Sequence, residues 1–163
     1  NRPRNCDLDG LAGWMRANPD KRIVTDIKTG ALRGHRLIAA RHPDLRGQFI
    51  PQAYQPEEIT VLKALRFKDV IWTLYQFPLT IQRVISQALI HQPSAITMPA
   101  EWAWEGSLEA IRAGTNLPVL VHTINDANSA ACLKQLGAAA IYSDDVGMEQ
   151  FIASADLECN QGA

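Results

Sequence analysis

Strand-like apolar runs recur along this chain at a nearly constant interval, each followed by a stretch of helical period, and few folds tolerate such regularity. The runs cover residues 22–28, 48–54, 70–76, 95–98, 118–125 and 138–143. Their starts lie roughly 20 to 25 residues apart, the length of a βα unit. Between them the period shifts from 2 to 3.6. Ile81, Val84, Ile85, Ala88 and Leu89 fall on one helical stripe. Pro56, Glu57 and Glu58 set the first turn of a helix that carries Ile59, Leu62 and Leu65. Asp126 can cap a helix that buries Ala130, Leu133 and Leu136 and stops at Gly137. An earlier helix over residues 11–17 ends at Asn18-Pro19, and Asp145 can cap a last one over residues 146–155. One helix followed by six βα units calls for a parallel sheet with right-handed crossovers. No Pro/Gly/Ser-rich linker divides the chain, so residues 1–163 read as a single domain.

Six such units fit either an open doubly wound sheet or a (β/α) barrel. The phosphate loops that often accompany the open type, G-x-G-x-x-G and G-x-x-x-x-G-K-[ST], are missing. Polar residues recur instead at the carboxyl ends of successive runs: Asp26 and Lys28, Gln52 and Tyr54, Trp72 and Tyr75, Glu101, His122 and Asn125, then Asp144. In a barrel all those ends meet on one face, where barrel enzymes place their chemistry. The expected fold is therefore an α/β, TIM-type (β/α) barrel, incomplete here, with about six parallel units corresponding to strands 3 to 8. Such a barrel has an open edge, which a missing N-terminal segment or a second copy of the chain would cover.

The run R-I-V-T-D-I-K carries the sharpest chemical signal. Asp26 and Lys28 stand two apart, which on a strand puts both on one face. A charge pair at a strand's carboxyl end is costly to bury, so it is expected to face a polar cavity, a metal or an anion. An ordinary salt bridge is the plain alternative. Sixteen Lys and Arg oppose seventeen Asp and Glu without a basic stripe, and the four Trp are not interleaved with cations, which excludes nucleic acid as a partner. No apolar run reaches membrane-spanning length and no signal-peptide core opens the sequence. A soluble domain is expected, bacterial and either cytoplasmic or in the cell envelope. Cys6, Cys132 and Cys159 are widely spaced and read most simply as free thiols.

The series I-V-T-D-I-K, F-I-P-Q-A-Y-Q-P-E-E, V-H-T-I-N-D and G-A-A-A-I-Y-S-D-D resembles the second part of the glycerophosphodiester phosphodiesterases, within the phospholipase-C-like phosphodiesterase barrels. The likeness runs through about residues 11 to 147. It implies metal-dependent hydrolysis of glycerophosphodiesters or related small phosphodiesters of lipid metabolism, with Mg²⁺ or Ca²⁺ as the cation. Carried over by position, Asp26 stands where that family has a metal-binding carboxylate and Lys28 where it has an active-site lysine. Gln52 matches the Gln of a Q-S-F-like strand, Asn125 the Asn of W-T-V-N, and Asp144 the Asp of a final T-D. Three features depart from the pattern: Asp replaces Glu at position 26, His122 replaces an aromatic Trp, and the opening H-R-G and E-x-D are not in these residues. Because those motifs supply the acid/base histidine and two metal carboxylates, the stretch alone is expected to be inert or nearly so.

The candidate set is thus Lys28 and His122 as catalytic residues, Gln52, Tyr54, Tyr75 and Asn125 as substrate-binding residues, and Asp26 as the metal ligand. His122 is as readily a structural histidine. His35, His42 and His91 have charged neighbours and are expected at the surface. Trp102 and Trp104 could wall an apolar moiety or simply pack, and Glu101 reads as a first-turn helix stabiliser. A function of another class stays open: a non-catalytic barrel-like domain that binds a phosphorylated ligand or a partner chain. A third reading is another barrel hydrolase or lyase sharing only the phosphate-facing end.

Overall fold

The computed structural model describes residues 7–75 and 80–153. A first helix, α1 (Leu8–Ala17), leads into β1 (Ile23–Thr25), α2 (Ala31–Arg41), a 3₁₀ turn (Pro43–Leu45), β2 (Phe49–Ala53), α3 (Pro56–Ala64) and β3 (Ile71–Thr73). Then come α4 (Ile81–His91), β4 (Ala95–Pro99), α5 (Ala100–Trp104), α6 (Ser107–Thr115), β5 (Val119–His122), α7 (Ala127–Gln135), β6 (Ala140–Ile141) and α8 (Met148–Ala153). The strands form one parallel sheet in the order β1-β2-β3-β4-β5-β6. The sheet is curled, with helices on one side, and is an incomplete TIM-type barrel. A doubly wound sheet would reverse its strand order about a central strand, and this one does not.

Local chemistry sets the element ends. Asp7 caps α1 by accepting from Gly10 N at 2.7 Å, so that helix begins three residues earlier than its apolar pattern indicates. Glu58, in the first turn of α3, accepts from Tyr54 N at 2.8 Å and Gln55 N at 3.1 Å, which fixes the chain where it leaves β2. Asp126 caps α7 through Ser129 N at 2.7 Å. Beyond α7, Gly137 takes a φ of +96°, a conformation that strains any other residue, and an added Cβ would also have to displace the Arg112 guanidinium that lies over it. The ladders are shorter than the apolar runs. In the first run only Ile23–Thr25 pairs, and Asp26 to Lys28 leave the sheet to reach its mouth. Gln76, at the end of the third expected run, and residues 154 and 155 of the last expected helix lie outside the described residues.

Alternation along the strands separates two environments. Phe49, Ala53, Trp72, Leu74, Ile96, Met98, Val119 and Val121 face the helices. There they join Ile59, Leu62, Val84, Ala88, Leu108, Ile111, Ala130 and Leu133 in one buried cluster. The opposite, concave face carries Val24, Ile50, Ile71, Thr73, Thr97, Leu120 and Ala140, none of them in that cluster. On the α4 stripe Val84 and Ala88 are buried, but Leu89 turns outward beside Ile90.

Three expectations need correction. His35 is fully buried, not at the surface: its Nε2 lies 2.7 Å from Thr25 Oγ1 and its ring meets Phe67 edge-on. On α2 it falls in register with Ile38 and Ala39, and a hydroxyl partner lets the ring sit in the core. His42 is also buried, with Nε2 3.0 Å from Asp9 Oδ1 and Nδ1 3.3 Å from Arg16 Nη2, where it pins α1 to the end of α2. Cys132 is not a free thiol but disulfide-bonded; Cys6 and Cys159 lie outside the described residues. No helix among the described residues is long and apolar enough to cross a membrane.

Candidate functional site

Where the strands end, a cavity of about 220 Å³ opens at the concave mouth, lined by Asp26, Lys28, Gln52, Thr73, Tyr75, His122, Thr123 and Tyr142. The lining comes from five strands or the residues just past them. Parallel register brings to one level side chains that lie nearly 120 residues apart in the chain.

Asp26 is the most constrained of these groups. Its Oδ2 lies 2.6 Å from Lys28 Nζ, and its Oδ1 accepts from the Tyr54 hydroxyl. Partial burial pushes its carboxyl pKa up. The hydrogen bonds from Lys28 and Tyr54, with the positive charge of Lys28 and the nearby His122, outweigh that and hold it below the usual carboxylate range. Lys28 moves the opposite way: its bond to Asp26 raises it, against some desolvation, and Tyr75 adds to the effect. The ammonium also reaches Tyr75 Oη at 3.3 Å and stands 5.0 Å from the Tyr75 ring centre and 5.9 Å from that of Tyr54. Tyr54 is buried, and desolvation together with its bond to Asp26 drives its phenol pKa upward, so it is a fixed donor.

An aromatic series continues from there. Tyr54 meets Tyr75 edge-on at 5.7 Å, Tyr75 meets His122 at 6.4 Å and His122 meets Tyr142 at 6.1 Å. His122 Nδ1 lies 2.9 Å from Thr97 Oγ1, which fixes the ring and leaves Nε2 for a ligand. Burial, then the charge of Lys28, lowers the imidazole pKa against the pull of Glu101 and Asp26, so the ring is neutral at neutral pH. Burial also raises the Tyr142 phenol, to about 12.

Of the residues singled out from sequence, Asp26, Lys28, Gln52, Tyr75 and His122 line the cavity together. Tyr54 stands behind Asp26 and does not line it. Asn125 is placed elsewhere: its Oδ1 accepts from Asp144 N at 2.9 Å and Ser143 Oγ at 3.2 Å, and its Nδ2 donates to Asp144 Oδ2 at 3.3 Å. It clamps the loop after β6 to the loop after β5, and Asp144 belongs to that clamp. Trp102 is half-buried against the core beside Ile81 and Ile111, in a second hollow away from the mouth, while Trp104 is exposed. Sequence reasoning missed Thr73, Thr123 and Tyr142. Tyr142 joins the mouth because Leu120 pairs with Ala140, which sets Tyr142 across from His122, and that register is not written in either strand alone.

A hard divalent ion needs several oxygen ligands. Asp26 is one carboxylate, and both its oxygens already accept hydrogens from Tyr54 and Lys28. Among the described residues no group of three or more His, Cys, Asp or Glu could hold a metal ion. These residues by themselves do not fit Mg²⁺ or Ca²⁺.

No protein-family model matches the chain, and no curated protein does. Solved structures do. A glycerophosphodiester phosphodiesterase from Parabacteroides distasonis superposes with a TM-score of 0.67 at 9% identity, over 91% of this chain and 63% of that one. One from Thermotoga maritima gives 0.58 at 18% identity, over 82% of this chain and 57% of that one. The chain has their fold. It spans less than two thirds of the length of either, and at such identity the likeness is one of architecture.

Proposed function

We propose that this chain is the phosphate-binding side of a phosphodiesterase barrel that hydrolyses glycerophosphodiesters or closely related esters. The observation that carries this reading is the meeting of Lys28 and His122 in one cavity at the carboxyl ends of the strands. The shared architecture with glycerophosphodiester phosphodiesterases supports it. The Lys28 ammonium would neutralise a phosphoryl oxygen, and Tyr75, Thr123 and Tyr142 would offer hydroxyls to the others. His122 is neutral at neutral pH with its ring held by Thr97. Its Nε2 is suited to exchange a proton with the attacking water or the departing alcohol. Water adds to phosphorus, the bond to one ester oxygen breaks, and the water's proton ends on the released alkoxide.

In this reading the chain alone is inactive or nearly so. Metal-dependent chemistry with Mg²⁺ or Ca²⁺ belongs to a completed barrel, in which other residues would add the carboxylates missing around Asp26. β1 and β6 are the two edges of the sheet, and Val24 is exposed on the concave face, features that favour cover by a further segment of the parent or by a second copy. The disulfide at Cys132 favours an oxidising compartment such as the cell envelope.

The non-catalytic reading has its own support, because Asp26 is the one carboxylate and His122 the one imidazole among the residues that line the cavity, and Asp26 is already bonded to Tyr54 and Lys28. Hydrolysis of glycerophosphocholine by the full-length parent, wild type and His122→Ala, decides between them. A loss of about 10²-fold or more in kcat for the variant is expected of a proton-transfer group. A parent that binds the ester and releases no alcohol would establish the binding role.

A further inference from the structure

Lys28 occupies a place that has the features of a cation site. A carboxylate lies 2.6 Å from its nitrogen, a phenol oxygen 3.3 Å away, and two aromatic faces stand within 6 Å. The side chain is 61% exposed, so solvent and ligands reach it from the cavity. Two of its three N–H bonds are spoken for, and among the described residues the third has no partner.

From this geometry we infer that the mouth takes the phosphodiester anion directly on the Lys28 ammonium, with Asp26 and Tyr54 holding that ammonium in place, and needs no divalent ion to do so. The inference rests on the phosphodiester reading and specifies the cation that serves it in this chain. Three features carry it. Among the described residues Asp26 is the one carboxylate on the cavity, and a divalent ion there would compete with Tyr54 and Lys28 for its lone pairs while finding no second carboxylate. A divalent ion close to Asp26 would stand within a few ångströms of a like charge, at a Coulombic cost. The ammonium, held by Asp26 and Tyr75, keeps its third N–H free among the described residues, so a phosphoryl oxygen can accept from it without displacing Lys28. Tyr54 and Asp26 are positioning residues here, because they act through the lysine.

The test is calorimetric titration of the chain with glycerophosphocholine, once with EDTA and once with millimolar Mg²⁺ or Ca²⁺. Equal affinity within about twofold is expected under the two conditions. A loss of about tenfold or more is expected in Lys28→Gln, with recovery of most of it in Lys28→Arg, since the ammonium supplies a charge-assisted bond. Lys28 is exposed, and an unchanged far-ultraviolet spectrum verifies that each variant is folded. Binding that appears only with the cation, or tightens tenfold with it, would overturn the inference and leave the phosphodiester reading intact. Failure to bind under either condition would sink both. Terbium, used alone as a calcium substitute, supplies a readout free of the ester. No tyrosine-sensitised emission is expected from the wild type, and strong emission displaced by Ca²⁺ and lost in Asp26→Asn would also overturn it.

Discussion

On the helix side of the sheet Trp72, Met98 and Val121 are sealed from water, whereas on the concave side Val24 keeps 36% of its surface exposed and Ile50 and Leu120 are half-covered. The same strands supply both faces, one residue apart. The helix side contains the continuous apolar cluster and therefore most of the favourable burial. The concave side is left to hold groups that would be expensive in a core, among them the Asp26–Lys28 pair and the His122 imidazole. A face that contributes little to stability can change its side chains at little cost, which is where a binding site can be placed.

Trp72 is the severest way to test that division. It is fully buried between sheet and helices, and Trp72→Ala is expected to cost about 3–5 kcal/mol, a large share of the stability of a domain this size. Urea denaturation measures it, and a cost below about 1 kcal/mol would mean that the helix side is not the core.

Acid reaches both faces through their histidines. Desolvation lowers the pKa of His35 on the helix side, against pulls from Glu58 and the Ala31 backbone. It also lowers that of His122 on the concave side. Each then binds fewer protons when folded than the unfolded chain does. Their contribution to stability is complete above the unfolded value of about 6.5 and is lost as the pH falls through it toward the lower folded value. A decline of up to about 1.4 kcal/mol per pH unit for each group is expected below pH about 6.5, and His35→Gln should flatten it more than His122→Gln. Urea midpoints between pH 5 and pH 8 measure both slopes. A larger effect from His122 would place the stronger burial on the concave side.

The fold was legible because each βα unit repeats one physical requirement, an apolar strand covered by a one-sided helix. That requirement is visible within about 20 residues. The Asp26–Lys28 pair was legible for the same local reason. What escaped depends on register across strands or on context that changes sign on folding. Tyr142 joins the mouth only because β6 pairs with β5 in a given register. His35 sits among Arg33, Gly34 and Arg36, a neighbourhood that reads as surface, yet the period that carries Ile38 and Ala39 inward carries His35 with them. Asn125 and Asp144 matched a family pattern by position, and the structure joins them to each other.

Asn125 offers a smaller test of where the concave site ends. Its bonds to Ser143 and Asp144 tie two loops together, so Asn125→Ala is expected to lower stability by about 1 kcal/mol and leave glycerophosphocholine affinity unchanged within about twofold. A tenfold loss of affinity with stability intact would bring Asn125 into the site.

The smallest expected effect, at Val24, is the most discriminating, because the same chemical change can be made at Val121 on the other face. Val121 and Val24 are both strand valines, Val121 fully buried against the helices and Val24 at the open edge. Replacing valine by threonine keeps the shape and adds a hydroxyl that must find a partner or water. At Val121 there is no water, and a cost of about 1–3 kcal/mol is expected. At Val24 the hydroxyl can be hydrated, so the cost should stay within about 0.5 kcal/mol. Denaturation of the two variants at low protein concentration gives both numbers. Equal costs would mean that Val24 is covered in solution. A cost at Val24 that then grows with protein concentration would identify the cover as a second copy of the chain, since only association makes stability depend on concentration.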